Sequence, residues 1–275
     1  MMPGMIRLLL LVMAAALACW APVASASPDR PNHLKARIVA QSEVPPAGGV
    51  ATLAVVFTPD PGWHGYWINP GDAGLGTRFA WQVPDGTAVG RPLYPVPERL
   101  IISGLMNHVY EREHALIVQM KLPRGLAAGT ALPIRAQAEW LACTKEICVP
   151  EQGELAIDLR VGDGSVKPEV QQQFNRWWAL LPRPLGSEAR FAREGKLIRL
   201  GIPYPRDAAI EDPWFFAETE NSIDYAAPQQ VRRQGELLIV ETRATGEAAL
   251  IKGVLSTGNG IGLSIVARPG PVTGG

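Results

Sequence analysis

The sequence has little cysteine, no surplus of charge of either sign, and no long apolar run beyond its first residues. Lysine plus arginine and aspartate plus glutamate both number 26 in the 275 residues, so no basic surplus points to nucleic acid or to an anionic membrane surface. The apolar run at residues 8–18 is too short to span a bilayer. The composition therefore predicts no nucleic-acid partner and no transmembrane segment in the mature chain.

The first residues have the pattern of an export signal. Arg7 precedes the apolar run, and Ala-Ser-Ala at residues 24–26 is a small-residue cleavage site. We therefore predict a signal peptide over residues 1–26 and an exported mature protein. An alternative interpretation makes Cys19 a lipid-modified cysteine, because the Ala-Leu-Ala before it loosely resembles the sequence that precedes such a residue.

Only three cysteines occur in the sequence, and Cys19 falls within the predicted signal peptide. Cys143 and Cys148 remain, and an even number of cysteines in an oxidising compartment predicts a disulfide. The four residues between them form a loop so short that closing it removes little entropy from the unfolded chain. The spacing leaves two interpretations open, a structural disulfide and a redox-active pair.

Glycine and proline are by contrast abundant, at 28 and 25 residues, and they are spread along the chain. This distribution is typical of turns between many short strands. Alternating apolar and polar residues, or short apolar runs, predict strands in both halves of the chain, at residues 36–42, 51–57, 79–83, 114–120, 134–141, 155–161, 196–202, 214–216, 236–242, 248–256 and 262–267.

One segment has helical spacing instead. Phe174, Trp177, Trp178 and Leu181 fall on neighbouring positions of one face, which predicts a helix within residues 168–181. We therefore predict an all-β fold with two β-sandwich domains and a short helical linker. The predicted boundaries are 27–163 for the first domain, 164–184 for the linker and 185–275 for the second, smaller domain.

The segment around the cysteines, Ala-Glu-Trp-Leu-Ala-Cys-Thr-Lys-Glu-Ile-Cys-Val-Pro-Glu at residues 138–151, is the most informative stretch. It resembles the amino-terminal domain of the thiol:disulfide interchange protein DsbD, and more closely the ScsB-type (suppressor of copper sensitivity) proteins. Gly-Trp-His-Gly-Tyr-Trp-Ile-Asn-Pro-Gly-Asp at residues 62–72 resembles a second motif of the family. Shorter resemblances follow in the expected order, at residues 97–99, 107–111, 213–216 and 252–255.

The resemblance implies a periplasmic protein whose first domain is immunoglobulin-like and carries a redox-active pair, Cys143 and Cys148, at one end of the sandwich. It implies that Cys148 forms the mixed disulfide and that Cys143 resolves it. The implied activity is that of a protein-disulfide reductase, and we expect no cofactor and no metal.

The sequence departs from the full-length relatives in two parts. Those relatives receive electrons through a membrane domain and a thioredoxin-like domain, whereas this sequence has neither a membrane domain nor a Cys-x-x-Cys motif. We therefore expect a thioredoxin-like or membrane-embedded electron donor on a separate chain. A periplasmic protein that resembles a disulfide isomerase is the expected acceptor.

In DsbD a cap loop with an aromatic residue shields the disulfide. The corresponding residues 96–104 contain Leu100 and two isoleucines but no aromatic residue, so Tyr66, Trp67 or Tyr110 is left to supply a ring. The same three residues and Trp63 are candidates for a surface that docks a partner. Alternating aromatic residues on a strand are also typical of a core, and that interpretation stays open.

Two further functions fit the same residues. Soft thiolates select Cu(I), and Met106, His108 or Met120 would be an additional ligand, which makes a copper-binding module the first alternative. The second alternative is a scaffold in which the disulfide of Cys143 and Cys148 is structural.

Overall fold

Strands dominate the architecture of this protein. The computed structural model describes residues 31–272; the predicted signal peptide, Cys19 and residues 273–275 lie outside the described residues. One helix separates two groups of strands, which we name the first and the second β-region. This arrangement confirms the predicted all-β class.

Within the described residues, the first β-region holds ten strands: β1 (Leu34–Ala40), β2 (Val50–Pro59), β3 (Gly65–Gly71), β4 (Arg78–Gln82), β5 (Ala88–Val89), β6 (Glu98–Ile102), β7 (Leu105–Tyr110), β8 (His114–Lys121), β9 (Ala131–Cys143) and β10 (Cys148–Arg160). The helix α1 follows at Pro168–Ala179. The second β-region holds eight strands: β11 (Arg183–Pro184), β12 (Ala189–Glu194), β13 (Leu197–Pro203), β14 (Trp214–Ala217), β15 (Gln230–Gln234), β16 (Leu237–Arg243), β17 (Ile251–Gly258) and β18 (Ile261–Pro269).

The first β-region consists of three sheets, with strand orders β1-β2-β8-β5, β10-β9-β4 and β3-β7-β6. Strand β9 shows why this sequence forms sheets. Its even-numbered residues from Leu132 to Ala142 are all buried, whereas most of its odd-numbered residues are partly or fully exposed. Because side chains alternate across a strand, this pattern directs one face of β9 into the core and the other toward solvent.

Helix α1 covers the outer face of the first sheet. It begins at Pro168, a residue well suited to the first turn because proline has no N–H to leave unpaired there. Phe174 and Trp177 are buried and pack with Val56 of β2 and Ile117 of β8. The helix confirms the predicted segment 168–181 and ends two residues earlier. Its apolar face is therefore part of the packing of the first β-region.

The second β-region is a single sheet with strand order β14-β17-β18-β12-β13-β16-β15, and β11 pairs with β18. Its core contains Leu200, Phe215, Val240 and Leu255, which are fully buried. The turn between β17 and β18 contains Asn259 and Gly260, both with positive φ. These conformations are the ones that a two-residue hairpin turn requires.

Strand β3 contains residues that usually form turns. The residues Asn69, Pro70, Gly71 and Asp72 are typical of a turn, but the first three lie in β3, whose register against β7 shifts between Tyr66 and Gly71. Gly71 has a φ of 90°, and a Cβ there would lie 2.4 Å from a backbone oxygen of β7. The turn-forming residues thus produce an irregularity within a strand instead of a reversal of the chain.

The two β-regions share packed side chains. Phe216 and Val254 of the second β-region belong to the same apolar cluster as Trp67 and Trp140 of the first. Asn69 donates hydrogen bonds from its amide to the Ala217 carbonyl at 2.7 Å and to the hydroxyl of a tyrosine in the second β-region at 3.0 Å. By its contacts, the chain from residue 32 onward is one compact unit.

A buried carboxylate joins the start of β1 to the β9–β10 hairpin. Glu151 is 7% exposed and accepts hydrogen bonds from the backbone N–H groups of His33 and Leu34, at 2.6 and 3.1 Å. It also accepts one from the indole N–H of Trp140 at 2.8 Å. A buried charge is tolerated when hydrogen-bond donors surround it, so Glu151 fixes β1 against the hairpin.

We predict that Glu151→Ala lowers the free energy of unfolding by about 3 kcal/mol, because it leaves buried N–H donors without an acceptor. Urea denaturation followed by tryptophan fluorescence measures this change. The matched control is Glu154→Ala, an exposed glutamate on the same strand, which should shift the free energy by no more than about 0.5 kcal/mol. Equal effects of the two substitutions would contradict the role assigned to Glu151.

Candidate functional site

The cysteine pair lies at the loop end of the β9–β10 hairpin. Cys143 and Cys148 are directly opposite each other in the antiparallel register. Their sulfurs are bonded at 2.02 Å, and their Cα atoms are 4.1 Å apart. The disulfide therefore crosses between two strands that the backbone already pairs.

The two cysteines differ sharply in exposure. Cys143, the last residue of β9, is 0% exposed, whereas Cys148 is exposed at the start of β10. A reagent in solution thus meets Cys148 first. In thiol–disulfide exchange the sulfur that is attacked and the sulfur that leaves have different roles, and this difference in exposure distinguishes them.

The four-residue loop between the cysteines is held by its own hydrogen bonds. The Thr144 N–H donates to the Ile147 carbonyl at 2.8 Å, and the Thr144 hydroxyl oxygen accepts from the N–H groups of Glu146 and Ile147 at 3.1 and 3.2 Å. Ile147, next to Cys148, is 56% exposed. The loop therefore presents an aliphatic side chain beside the accessible cysteine.

Cys143 is enclosed by an apolar cluster. Tyr66 and Val109 are the other buried members, and Leu100 and Leu141 pack against them. Leu100 belongs to the predicted cap segment 96–104, and Tyr66 is one of the three residues considered for the missing ring. Burial raises the pKa of the Tyr66 hydroxyl, so this group stays protonated near neutral pH.

His64 connects the two sequence motifs. Its N–H donates to the Cys143 carbonyl at 2.8 Å, and the Cys143 N–H donates back to the His64 carbonyl at 3.1 Å. The imidazole is buried, and its Nε2 lies 3.4 Å from the Tyr66 hydroxyl. Burial lowers the pKa of His64. Sequence reasoning did not select His64, although its place in the motif at residues 62–72 was the available signal.

Two of the four predicted docking residues are held by contacts within the first β-region. Trp63 is half-buried, and its ring stacks on His33 with centroids 3.5 Å apart. Tyr110 is 4% exposed, and its hydroxyl donates to the Pro95 carbonyl at 2.7 Å. A docking role for these residues stays a prediction.

The other two predicted docking residues lie deeper. Trp67 is 2% exposed and packs edge-to-face against Phe216 of the second β-region. Tyr66, at 4% exposure, is the one that the fold brings into the cluster around Cys143. Contact of either ring with a partner would require movement of the surrounding chain, and this role also stays a prediction.

Two of the three residues considered for Cu(I) lie outside the apolar cluster around Cys143. Met120 belongs to a different core cluster, and His108 contacts the second β-region through Phe216. Within residues 31–272, no group of three or more histidine, cysteine, aspartate or glutamate side chains has the spacing of a metal site. No helix in this part of the chain is long and apolar enough to cross a membrane.

The fold and the site define the class: an all-β protein with a cross-strand disulfide between a buried and an exposed cysteine. Residues 31–159 match the family described as thiol:disulfide interchange protein DsbD, N-terminal. This match confirms the resemblance found in the sequence over the segment that contains the cysteine pair. No curated protein matches the chain.

One solved structure shows the same fold over most of the chain. The N-terminal periplasmic domain of ScsB from Proteus mirabilis superposes with a TM-score of 0.65 at 17% identity, over 89% of this chain and 96% of that one. The DsbD N-terminal domain from Neisseria meningitidis, in its reduced form, is 13% identical over 47% of this chain and 91% of that one, with a TM-score of 0.30. The first comparison extends the shared fold across both β-regions.

His108 is a buried base at the contact between the β-regions. Its Nδ1 lies 2.9 Å from the Asn69 carbonyl oxygen, and its ring meets Phe216 and Tyr225 edge-to-face at 5.1 and 5.6 Å. Burial lowers the pKa of His108 to about 4, although the Asn69 carbonyl and the charge of Asp72 oppose the shift. The imidazole is therefore neutral in the folded protein near pH 7.

This pKa predicts a loss of stability in mild acid. The unfolded chain takes up a proton near pH 6.5, whereas folded His108 does so only near pH 4, so stability is complete above pH 6.5 and falls as the pH approaches 4. His108 should contribute about 3 kcal/mol to this fall. Urea denaturation between pH 7.5 and 4 measures it, and His108→Gln should make the pH dependence shallower. An identical pH dependence in the wild type and the variant would contradict the assignment.

Proposed function

We propose that this protein is a periplasmic thiol–disulfide exchange protein, which passes electrons between a separate reductant and periplasmic disulfide partners through Cys143 and Cys148. The observation that carries the proposal is the disulfide between a buried and an exposed cysteine at a hairpin end. It lies in the segment that matches a family described as thiol:disulfide interchange protein. The activity is that of a protein-disulfide reductase.

The proposed reaction proceeds through a mixed disulfide. A thiolate of the donor attacks the exposed sulfur of Cys148, the Cys143–Cys148 bond breaks, and the Cys143 sulfur leaves and takes up a proton. The second thiol of the donor, once deprotonated, attacks the mixed disulfide and releases Cys148. The donor ends as a disulfide and the pair ends as two thiols, so two electrons have been transferred. The reverse sequence reduces an acceptor disulfide.

A purely structural role explains the pair less well. Strand pairing already places the cysteines opposite each other, and the loop is held by its own hydrogen bonds. Closing so short a loop removes little entropy from the unfolded chain and stabilises the folded state by only about 2 kcal/mol. Thiol–disulfide exchange requires the exposure of Cys148, whereas a structural disulfide gains no stability from it. No contact of the cysteines favours the copper alternative.

The proposal includes the finer organisation of the chain. The predicted organisation of two immunoglobulin-like β-sandwich domains with α1 within the linker 164–184 remains part of this proposal for the first β-region, whereas the second β-region forms one continuous sheet. The signal peptide at residues 1–26 directs the chain to the periplasm. The donor is a thioredoxin-like or membrane-embedded protein on a separate chain, and the acceptor resembles a disulfide isomerase.

We predict that the pair equilibrates with glutathione buffers at a potential above about −300 mV, the region below which inert structural disulfides lie. Alkylation of the free thiols followed by mass spectrometry at each buffer ratio measures it. A potential well below this limit would contradict the proposed exchange. The unfolding free energy of the double variant Cys143→Ser, Cys148→Ser should stay within about 2 kcal/mol of the wild type.

We also predict that the two single variants differ in their reaction with a thioredoxin-like protein. Cys143→Ser retains the exposed Cys148 and should form a stable mixed disulfide with the oxidised partner, whereas Cys148→Ser retains only buried Cys143 and should form little. Non-reducing electrophoresis quantifies the adducts. Equal yields from the two variants would show that Cys148 is not the exchanging cysteine.

A further inference from the structure

One strand lies between the buried cysteine and the second β-region. We name β6, its turn and β7 the cap hairpin, residues 98–110. Leu100 on β6 packs against the cluster that contains Cys143. Arg99, the preceding residue, contacts the second β-region instead. Since neighbouring side chains on a strand point to opposite faces, β6 contacts Cys143's surroundings on one face and the second β-region on the other.

Arg99 makes two contacts with the second β-region. Its guanidinium lies 4.6 Å from the centre of the Trp214 ring, within the range of a cation–π interaction. It also forms an ion pair with the Asp212 carboxylate. The Arg99 side chain is 32% exposed and the Asp212 side chain 73%, so the guanidinium is partly covered whereas the ion pair faces solvent on its Asp212 side. A planar guanidinium makes both contacts at once, which a lysine ammonium does less well.

A second set of contacts holds the chain just before β6. The Val96 N–H donates to the Leu180 carbonyl after α1 at 3.3 Å. Val96 is buried in the cluster that includes Phe216 and Val254 of the second β-region. A Cβ at Gly262 of β18 would lie 3.0 Å from the Val96 side chain, which shows how closely the two approach. The position of Val96, just before β6, is therefore fixed.

Strand β7 is buried along most of its length, whereas β6 and the tip of the cap hairpin have fewer restraints. In the described residues β6 is the terminal strand of its sheet and pairs only with β7. The turn residue Ser103 has a φ of 52°, and Ile101 and Leu105 near the tip are 60% and 48% exposed. A terminal strand with a solvent-exposed tip opens more easily than a central one. The contacts of Arg99 are thus placed where they decide how firmly β6 is held.

We propose that Arg99 is a positioning residue through which the second β-region keeps the cap hairpin over Cys143. With β6 held against Trp214 and Asp212, Leu100 stays on the apolar cluster and Cys143 stays out of reach, so that exchange occurs at Cys148. This inference rests on the proposed function and gives the second β-region, which contains no cysteine, a part in it. It assigns that region control over which sulfur reacts.

The test compares the two cysteines of one reduced protein. The full chain and its Arg99→Ala variant are reduced and treated with iodoacetamide for increasing times, and peptide mass spectrometry quantifies alkylation at each cysteine. We expect the Cys143 alkylation rate to rise about fivefold in Arg99→Ala, as the loss of one partly exposed cation–π contact and ion pair implies. The Cys148 rate should not change, which makes it an internal reference.

Further variants distinguish a positioning role of Arg99 from a general loss of rigidity in the protein. Arg232→Ala is the matched control, because it also removes an arginine–carboxylate pair, here with Glu241. Arg232 lies on β15, at the opposite end of the sheet from β14. It should leave both rates unchanged. Asp212→Asn should raise the Cys143 rate by less than Arg99→Ala, and Arg99→Lys should restore part of the protection.

Three outcomes would overturn the inference. In the first, the Cys143 alkylation rates of Arg99→Ala and Asp212→Asn equal that of Arg232→Ala. In the second, the alkylation rates of Cys143 and Cys148 rise together in Arg99→Ala. In the third, the two cysteines of the wild type are alkylated at equal rates. These results are independent of the glutathione potential. A normal potential with unchanged alkylation rejects the role of Arg99 alone, whereas a potential of an inert disulfide rejects the proposed exchange even if Arg99 protects Cys143.

Discussion

The antiparallel register of β9 and β10 is the constraint on which the site depends. The two strands pair without interruption from Cys143 and Cys148 at the loop to Ala131 and Arg160 at the far end. A slip of one residue would move every side chain of a strand to the opposite face. It would separate the cysteines, and it would also remove the contact between Trp140 and Glu151. The core and the disulfide therefore select the same register, and each excludes the alternatives for the other.

The difference in exposure between the cysteines follows from what surrounds this hairpin. Cys143 ends a strand that runs under β3 and the cap hairpin, where His64 pairs with its backbone. Cys148 lies on β10, outside this covered region, and is exposed. Two cysteines with the same chemistry and directly opposed positions thus acquire different environments. Neither the spacing of the pair nor the length of the loop determines this; the neighbouring sheet does.

The elements of this structure that depend on neighbouring residues could be predicted from the sequence, whereas the contacts between distant segments could not. Alternation along β9 and the helical spacing of Phe174 and Trp177 depend on nearby residues, and these two elements were predicted. The strands of the cap hairpin are short and have no clear alternation, so they were not. The contact of Arg99 with the second β-region joins residues more than 100 positions apart, and no periodicity encodes such a pairing. The number of cysteines predicted the disulfide and the family resemblance predicted its redox role, whereas only the coordinates show that the two cysteines differ in exposure.

In the proposed exchange, this asymmetry lets one sulfur serve both directions of electron flow. Release of Cys143 as a thiolate would place a charge among Tyr66, Val109 and Leu100, where an unpaired charge is costly, so its departure is favourable only when a proton accompanies it. The attack itself takes place at Cys148, in the exposed half of the bond, so the cost falls only on the departing Cys143 sulfur. In the opposite direction Cys148 is again the accessible nucleophile, and Cys143, with its Cα only 4.1 Å away, can resolve the adduct without a large movement of either strand. Covering one cysteine therefore directs every partner to the same sulfur and leaves the second in place to complete the reaction.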